Sequence, residues 1–314
     1  MGLHAAGIRA QEPYGILFYN TENFFDPYDD SLTRDESFTP AGEKHWTFSR
    51  FRRKAVAVYK VILAAGETAG MTAPELVGLA EVENGYVLHY LLEETPFSVL
   101  GYRAVHYESP DPRGIDVALL YDPARVRVLF SRPLRVVLPH DTSFATRDIL
   151  FARIRMAQGD TLQLFVCHWP SRYGGAAATA GRRRAAAAVI AAVLDTLPPA
   201  AVRRQVIVMG DLNDERKDLS VDLLTRPPYR LSDLLEEEEK KGRGSLFYDG
   251  RWWMFDHFLV GEELRRRVVE AHVLRMPFLF DPGHPERPWR TYTGPRYVGG
   301  FSDHLPVMLL LRQP

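Results

Sequence analysis

Short apolar runs that stop at a polar residue recur along this chain. Tyr14 to Tyr19 (YGILFY) ends at Asn20, and LVGLA, entered just after Pro74, ends at Glu81. Ile115 to Tyr121 (IDVALLY) repeats the pattern. Leu162 to Cys167 leads directly to His168, and Gln205 to Met209 leads to Gly210 and Asp211. Trp253 to Val260 carries Asp256 inside it, and Leu305 to Leu311 follows Asp303 and His304. Runs of this length and composition read as buried strands, each delivering a polar side chain at its end. Between them, apolar residues at a period near 3.6 predict helices over Phe51–Ala65, with Gly66 as C-cap, over Gly85–Glu94 before Pro96, and over Arg182–Leu197 before Pro198 and Pro199. In the last of these, Arg182 to Arg184 read as a solvated first turn. Glu236 to Lys241 reads as a solvent loop or frayed helix end. Strands inside and helices outside make this an α/β protein.

Composition narrows the class. The 314 residues carry 39 Lys plus Arg against 40 Asp plus Glu, a formal charge of -1, so any polyanion site has to be local. Only six of the basic residues are Lys, a bias toward planar guanidinium donors. The single cysteine, Cys167, excludes an intramolecular disulfide framework and a Cys-rich zinc or iron-sulfur site. No run of 18 apolar residues appears, and the opening MGLHAAGIRAQEPYG lacks the pattern of a secretory signal. The location expected of the chain as given is cytoplasmic, or periplasmic or secreted if an export segment is missing. Polar strand ends are spread from Asn20 to His304, so neither half completes a site alone. The expected organisation is a flexible segment over 1–12 and one catalytic domain over 13–314.

The chemistry gathers in a few strings. In HWPSRYGG, His168 stands at a strand end, where an imidazole can donate to an anion, and Arg172 supplies a phosphate-matching fork. Trp169 and Tyr173 read either as base-stacking or as packing residues. In MGDLNDE, Asp211 can accept a proton or organise an attacking water, and Asn213 can orient the same nucleophile or bind a phosphate oxygen; an Asx turn is the alternative for both. Asp214 and Glu215 read as solvated or as local caps. In GGFSDHLPV, Asp303 offers oxygen to a hard divalent cation and His304 an acid-base group, with Asp256 as a partner that would fix the imidazole of His304. Asn20 and Glu81 supply further oxygen ligands. With Asp303 they would surround Mg2+, or alternatively Mn2+.

Taken in order, FYNTENFFD, GLAEVEN, RGIDVALLY, CHWPSR, MGDLND, MFDHFLV and FSDHLPV resemble the endonuclease/exonuclease/phosphatase superfamily, the DNase I-like enzymes, over nearly the whole chain. The closer similarity is to bacterial members sharing FYNTEN, EVEN, RGIDVALLY, HWPSR and GGFSDHLPV, a subgroup that does not define a natural substrate. The resemblance implies a four-layer α/β sandwich of two packed, mainly antiparallel or mixed β-sheets flanked by helices. It implies Glu81 as main metal ligand with Asn20 and Asp303 nearby, and Glu22 as an additional outer carboxylate. His168 and His304 would contact or protonate phosphate, Asp256 would orient His304, and Asp211 with Asn213 would position the attacking water. Arg172 and Arg147, the latter in FATRDIL, stand as phosphate-contact candidates.

The activity so expected is divalent-metal-dependent phosphoester hydrolysis by a monomer, in the first place a phosphodiesterase acting as an endonuclease or exonuclease. The alternative is a phosphatase or phosphodiesterase for a small molecule, a nucleotide or a lipid headgroup. A noncatalytic polyanion-binding protein ranks third, because it leaves the polar set without a purpose. No protein partner is indicated; the partner is the nucleic acid or the small phosphoester.

Overall fold

The computed structural model describes residues 12–159 and 161–314. Most of the segment expected to be flexible, 1–12, lies outside the described residues. In chain order the strands are β1 (Tyr14–Phe24), β2 (Leu76–Val82), β3 (Arg103–His106), β4 (Asp116–Tyr121), β5 (Val126–Leu134), β6 (Ile149–Met156), β7 (Thr161–His168), β8 (Val206–Asp211) and β9 (Ser232–Asp233). A hairpin of β10 (Leu246–Tyr248) and β11 (Arg251–Trp253) leads into β12 (Asp256–Val260) and β13 (Val268–Val273). Two small ribbons follow, β14 (Phe280–Asp281) with β15 (His284–Pro288) and β16 (Tyr292–Thr293) with β17 (Arg296–Tyr297), before the closing β18 (Val307–Leu311). The helices are α1 (Phe48–Thr68), α2 (Gly85–Glu93), α3 (Ala176–Leu194), α4 (Pro199–Gln205), α5 (Leu219–Thr225) and α6 (Glu236–Lys240).

Two six-stranded mixed sheets, ordered β13-β18-β1-β2-β4-β3 and β5-β6-β7-β8-β12-β9, pack face to face, with helices outside. The four-layer α/β sandwich expected from the sequence is the fold observed. Each sheet has one parallel pair, β1 with β2 and β7 with β8, joined by the helical crossovers a parallel connection requires. The inner faces hold Ile16, Phe18, Leu76, Leu119, Leu164, Val166, Ile207 and Met209, all fully buried.

This topology positions the site. The continuous pairing of β1 with β2 stops at Asn20 and Ala80, next to Glu81, β7 and β8 end in His168 and Asp211, and their antiparallel neighbours begin at the same edge. Asp256, the first residue of β12, pairs in register with Asp211, the last of β8. Asp116, the first of β4, lies opposite Val82. Strand ends from both sheets therefore meet at one edge of the sandwich.

Several local expectations change. Helix α1 runs past Gly66 to Thr68; a Cβ at Gly66 would lie 2.6 Å from the Ala73 Cα, so glycine here allows the following loop to close against the helix rather than ending it. Helix α3 begins at Ala176, six residues before its predicted start, and Arg183 is buried instead of solvated. The run Trp253–Val260 divides, Trp253 ending β11 and Asp256 opening β12. The Glu236–Lys240 stretch is a short helix.

Candidate active site

His168 leaves β7 with its ring buried, and Asp211 leaves β8 beside it, through a strand pairing closed by the Trp169 amide on the Asp211 carbonyl at 2.9 Å. Gly210 makes the approach feasible, since a Cβ there would stand 2.3 Å from the Cys167 carbonyl oxygen. The Asp211 carboxylate is fixed at both oxygens. Oδ2 accepts from Asn20 Nδ2 at 3.0 Å, and Oδ1 accepts from the Asn213 amide at 2.9 Å. Burial pushes its pKa up to about 7; His304 opposes the rise and Asp256 adds to it.

His304 reaches the same carboxylate from the other sheet. Its Nδ1 lies 2.7 Å from Asp256 Oδ2, and its Nε2 lies 3.7 Å from Asp211 Oδ2. Burial alone would lower the pKa of this imidazole, but the carboxylates of Asp256 and Asp211 hold it well above its ordinary value. His168 is the opposite case. Its Nε2 is also 3.7 Å from Asp211 Oδ2, yet burial, reinforced by the charges of Arg147, Arg113 and His304, drives it well below the ordinary imidazole range. One histidine is thus held as the cation and the other neutral, with Asp211 between them. Ligand atoms of Asp211, Asp256 and His304 fall within 4.8 Å of one another, as do those of His106, Glu108 and Asp116 at a sheet edge.

Backbone strain collects around the same point. Glu22, Asn23, Glu81 and Asn213 all have positive φ, between 51° and 60°. Non-glycine residues enter this region at a cost and tend to do so where function fixes their direction. The β1–β2 register shifts between Asn20 and Phe24, the stretch that holds Glu22 and Asn23. Glu81 Oε2 accepts from the Asn23 amide at 2.8 Å and lies 3.7 Å from Arg113 Nη2. Its Oε1 accepts no hydrogen bond among the described residues and faces His168 Nε2 at 3.9 Å.

Around Glu81 two further carboxylates share two cations. Glu22 is buried and receives Arg290 Nε at 2.9 Å and the Thr291 amide at 2.6 Å. Arg290 Nη2 also reaches Asp303 Oδ2 at 3.0 Å. Lys54 is buried beneath them and donates to Thr291 Oγ1 at 2.7 Å and the Phe301 carbonyl at 2.6 Å. Burial, with Asp303 adding to it, raises Glu22 to about 7, and burial lowers Lys54 to about 8. Asp303 stays below the usual carboxylate range because Arg290, His304 and Lys54 outweigh its burial. The donor set is oxygen alone from Asn20, Glu81 and Asp303, with one Glu81 oxygen open and Asn20 Oδ1 also accepting from the Glu22 amide at 3.0 Å. That chemistry fits a hard divalent cation.

The structure brings together Asn20, Glu81, His168, Asp211, Asp256, Asp303 and His304. It sets Arg172, Arg147 and Asn213 behind them. Arg172 Nε donates to the Asn213 carbonyl at 2.7 Å and Nη2 to Asp214 and Asp218, with the guanidinium over Phe255. Arg147 is buried between Asp111 Oδ2 at 2.9 Å and the Trp169 carbonyl at 2.8 Å. Their terminal nitrogens bond protein groups, only the buried Arg147 Nε being without a partner among the described residues, so these arginines brace the loops of the site. Asn213 Nδ2 is likewise spent on the Trp169 carbonyl at 3.0 Å. Asp214, expected at the surface, is buried against Arg172, Arg183 and Ser220. Trp169 is core and Tyr173 is exposed. The sequence reading passed over Lys54, Arg113 and Arg290. For Lys54 a signal existed: it falls in the apolar stripe of Phe51, Ala55 and Val58 on α1, where a lysine needs a buried partner.

Residues 15–313 match the model of the endonuclease/exonuclease/phosphatase family. The chain belongs to this family. Members of the endonuclease/exonuclease/phosphatase family are mostly phosphoester hydrolases and generally depend on divalent metals. No curated protein sequence matches the chain. Among solved structures, the human Nocturnin catalytic domain with bound sulfate is 16% identical, with a TM-score of 0.59, over 96% of this chain and 94% of that one. D. rerio TDP2 complexed with single strand DNA product is 18% identical, with a TM-score of 0.57, over 96% and 99%. The Bacteroides thetaiotaomicron mannosyl-6-phosphatase Bt3783 is 17% identical, with a TM-score of 0.58, over 95% and 99%. At these identities the neighbours establish the family fold. No single helix among the described residues is long and apolar enough to cross a membrane.

Proposed function

We propose that this family member is a divalent-metal-dependent phosphoester hydrolase. The observation that carries the reading is Asp211 flanked at 3.7 Å by two buried histidines, only one of which, His304, has a second carboxylate, Asp256, at 2.7 Å to favour its cation. Groups whose environments push their titrations apart are how one site runs acid and base chemistry at one pH. Asp211, pinned by Asn20 and the Asn213 amide, takes the proton of the attacking water. His304, held as imidazolium by Asp256, donates a hydrogen bond to the phosphate, and neutral His168 donates one to another phosphate oxygen. The P–O bond to the ester oxygen breaks as the new one forms, and the departing alkoxide takes a proton from solvent water while Asp211 returns its own to solvent. Asn213 and Asp256 are positioning residues. Arg113 and Arg290, both with nearly half their side chain exposed beside the carboxylates, take the phosphate-contact role in place of Arg172 and Arg147.

Glu81, with Asn20 and Asp303, would hold the metal, Mg2+ first and Mn2+ second, which when bound neutralises charge gathering on the phosphate. The nucleolytic and small-ester readings both use these residues. TDP2 and mannosyl-6-phosphatase on the same fold stand for the two. The burial of Trp169, which removes one expected base-stacking surface, favours the small ester.

The test is turnover of phosphomonoesters, phosphodiesters, nucleotides and oligonucleotides with and without Mg2+ or Mn2+, for wild type, Glu81→Gln and His304→Ala. Metal-dependent hydrolysis abolished in both variants supports the proposal. No turnover of any ester, or near-wild-type rates in both variants, overturns it.

A further inference from the structure

Beside Arg290 and Asp303 opens a cavity of about 300 Å3 whose walls come from outside the two main sheets. The β10–β11 hairpin contributes Phe247, Tyr248 and Asp249, the β14–β15 ribbon contributes Asp281 and Arg287, and the β16–β17 turn closes the third side. We propose that this cavity is the specificity subsite of the enzyme and receives a single hydroxylated ring, that of a sugar or polyol phosphate, while the phosphate lies at Asp211. The inference rests on the hydrolase reading and names its substrate class.

Three features point there. First, the wall is rigidly tied to the chemistry. Asp249 and Gly250, both at positive φ, form a two-residue turn matched to the twist of a hairpin. Leu246 bridges to His304, the Leu305 amide donates to the Ser245 carbonyl at 2.7 Å, and Ser245 Oγ accepts from the Asp256 amide at 3.2 Å. Second, the volume stands at the lower end of ligand pockets, which run from roughly 300 to 1,000 Å3, so it suits one ring and not a polymer.

Third, the charge selects against a second phosphate. Of the two arginines in the wall, Arg287 is paired with Asp281 at 3.2 Å, and Arg290, between Glu22 and Asp303, is the one given to the reacting phosphate, so neither is left for another. Asp249 has no hydrogen bond or ion pair among the described residues, which leaves an acceptor for ring hydroxyls. Tyr248, 65% exposed, stands in the cavity wall, where an aromatic side chain can pack on the C–H side of a ring.

The experiment measures kcat/KM, with Mg2+ or Mn2+ present, for a hexose 6-phosphate, an inositol monophosphate, a nucleoside monophosphate and ethyl phosphate, each also as its methyl diester, together with a dinucleotide. Sugar or polyol esters should exceed the ethyl ester at least tenfold. Tyr248→Ala and Asp249→Asn should cut that ratio at least fivefold, mainly through KM; asparagine tolerates the left-handed backbone at 249, so folding is retained. A preference for the nucleotide or dinucleotide, a ratio near one, or an unchanged ratio in both variants overturns the subsite while leaving the hydrolase reading intact. Loss of all turnover, the ethyl ester included, in the wild type overturns the hydrolase reading itself.

Discussion

Replacing Asp256 by Asn keeps the shape of the side chain and removes the charge that holds His304 as a cation. The bond concerned is short, 2.7 Å from His304 Nδ1 to Asp256 Oδ2, and both residues are buried, so water cannot substitute. A hydrogen bond to a charged group contributes about 1.5–3 kcal/mol. If that is what keeps the proton on His304 in the transition state, its loss lowers kcat about 10- to 150-fold at neutral pH. The alkaline limb of the pH–rate profile moves toward lower pH by about one to two units. Asp256 Oδ1 has no hydrogen-bond partner among the described residues, so the new amide leaves an unsatisfied buried N–H group costing about 1–3 kcal/mol of stability. The assay is therefore steady-state hydrolysis across pH on protein shown folded by circular dichroism, for Asp256→Asn, His304→Ala and the double variant. Because Asp256 works through His304, the double variant should be no slower than His304→Ala alone. A rate within threefold of wild type with the alkaline limb unmoved, or full additivity in the double variant, would refute the assignment.

Other consequences follow from the same contacts. Chelation of divalent metal should abolish turnover and re-addition of Mg2+ restore it, while Glu81→Gln should lower kcat at least 100-fold with the melting temperature within a few degrees of wild type, as read by activity and thermal melts. His257 is fully buried; burial would lower its pKa, but the Asp233 carboxylate, 3.0 Å from Nδ1, raises it to about 9. Because the folded pKa exceeds the unfolded value near 6.5, the stabilisation, about 3 kcal/mol, is complete below pH 6.5 and is lost as pH rises through about 9. Denaturant melts from pH 6 to 10 should show that decline, and Asp233→Asn should flatten it. Arg183→Ala leaves the buried Asp214 with one cation fewer and should cost about 3–5 kcal/mol in denaturant unfolding; a cost under 1 kcal/mol would contradict the buried pair. Gly210→Ala should destabilise by about 3 kcal/mol because its Cβ meets the Cys167 carbonyl, and unchanged stability would mean β7 and β8 separate freely.

The legible parts of this protein were those written as local pattern. Apolar runs ending in Asn20, Glu81, His168 and Asp211 marked the strands because a strand buried on both faces has to be apolar until it emerges. Where Gly66 and Arg183 misled, the deciding contact came from elsewhere in the chain, Ala73 for the glycine and Asp214 for the arginine.

By itself, then, the sequence determined the alternation of strands and helices, the family and the inventory of polar groups able to do the chemistry. The tertiary structure decided which of them meet. Asp256 and His304 are 48 residues apart, Glu22 and Arg290 are 268 apart, and only the sheet order places each pair in contact. It also decided what each group does. Arg172 and Arg147 resemble Arg113 and Arg290 as letters, and Arg290 is ion-paired as they are, but the first two are enclosed behind the site while the second two keep nearly half their side chain exposed at the cleft. The charge state of a histidine is fixed in the same way. His168 and His304 are chemically identical until burial removes water from both and Asp256 stands beside only one of them.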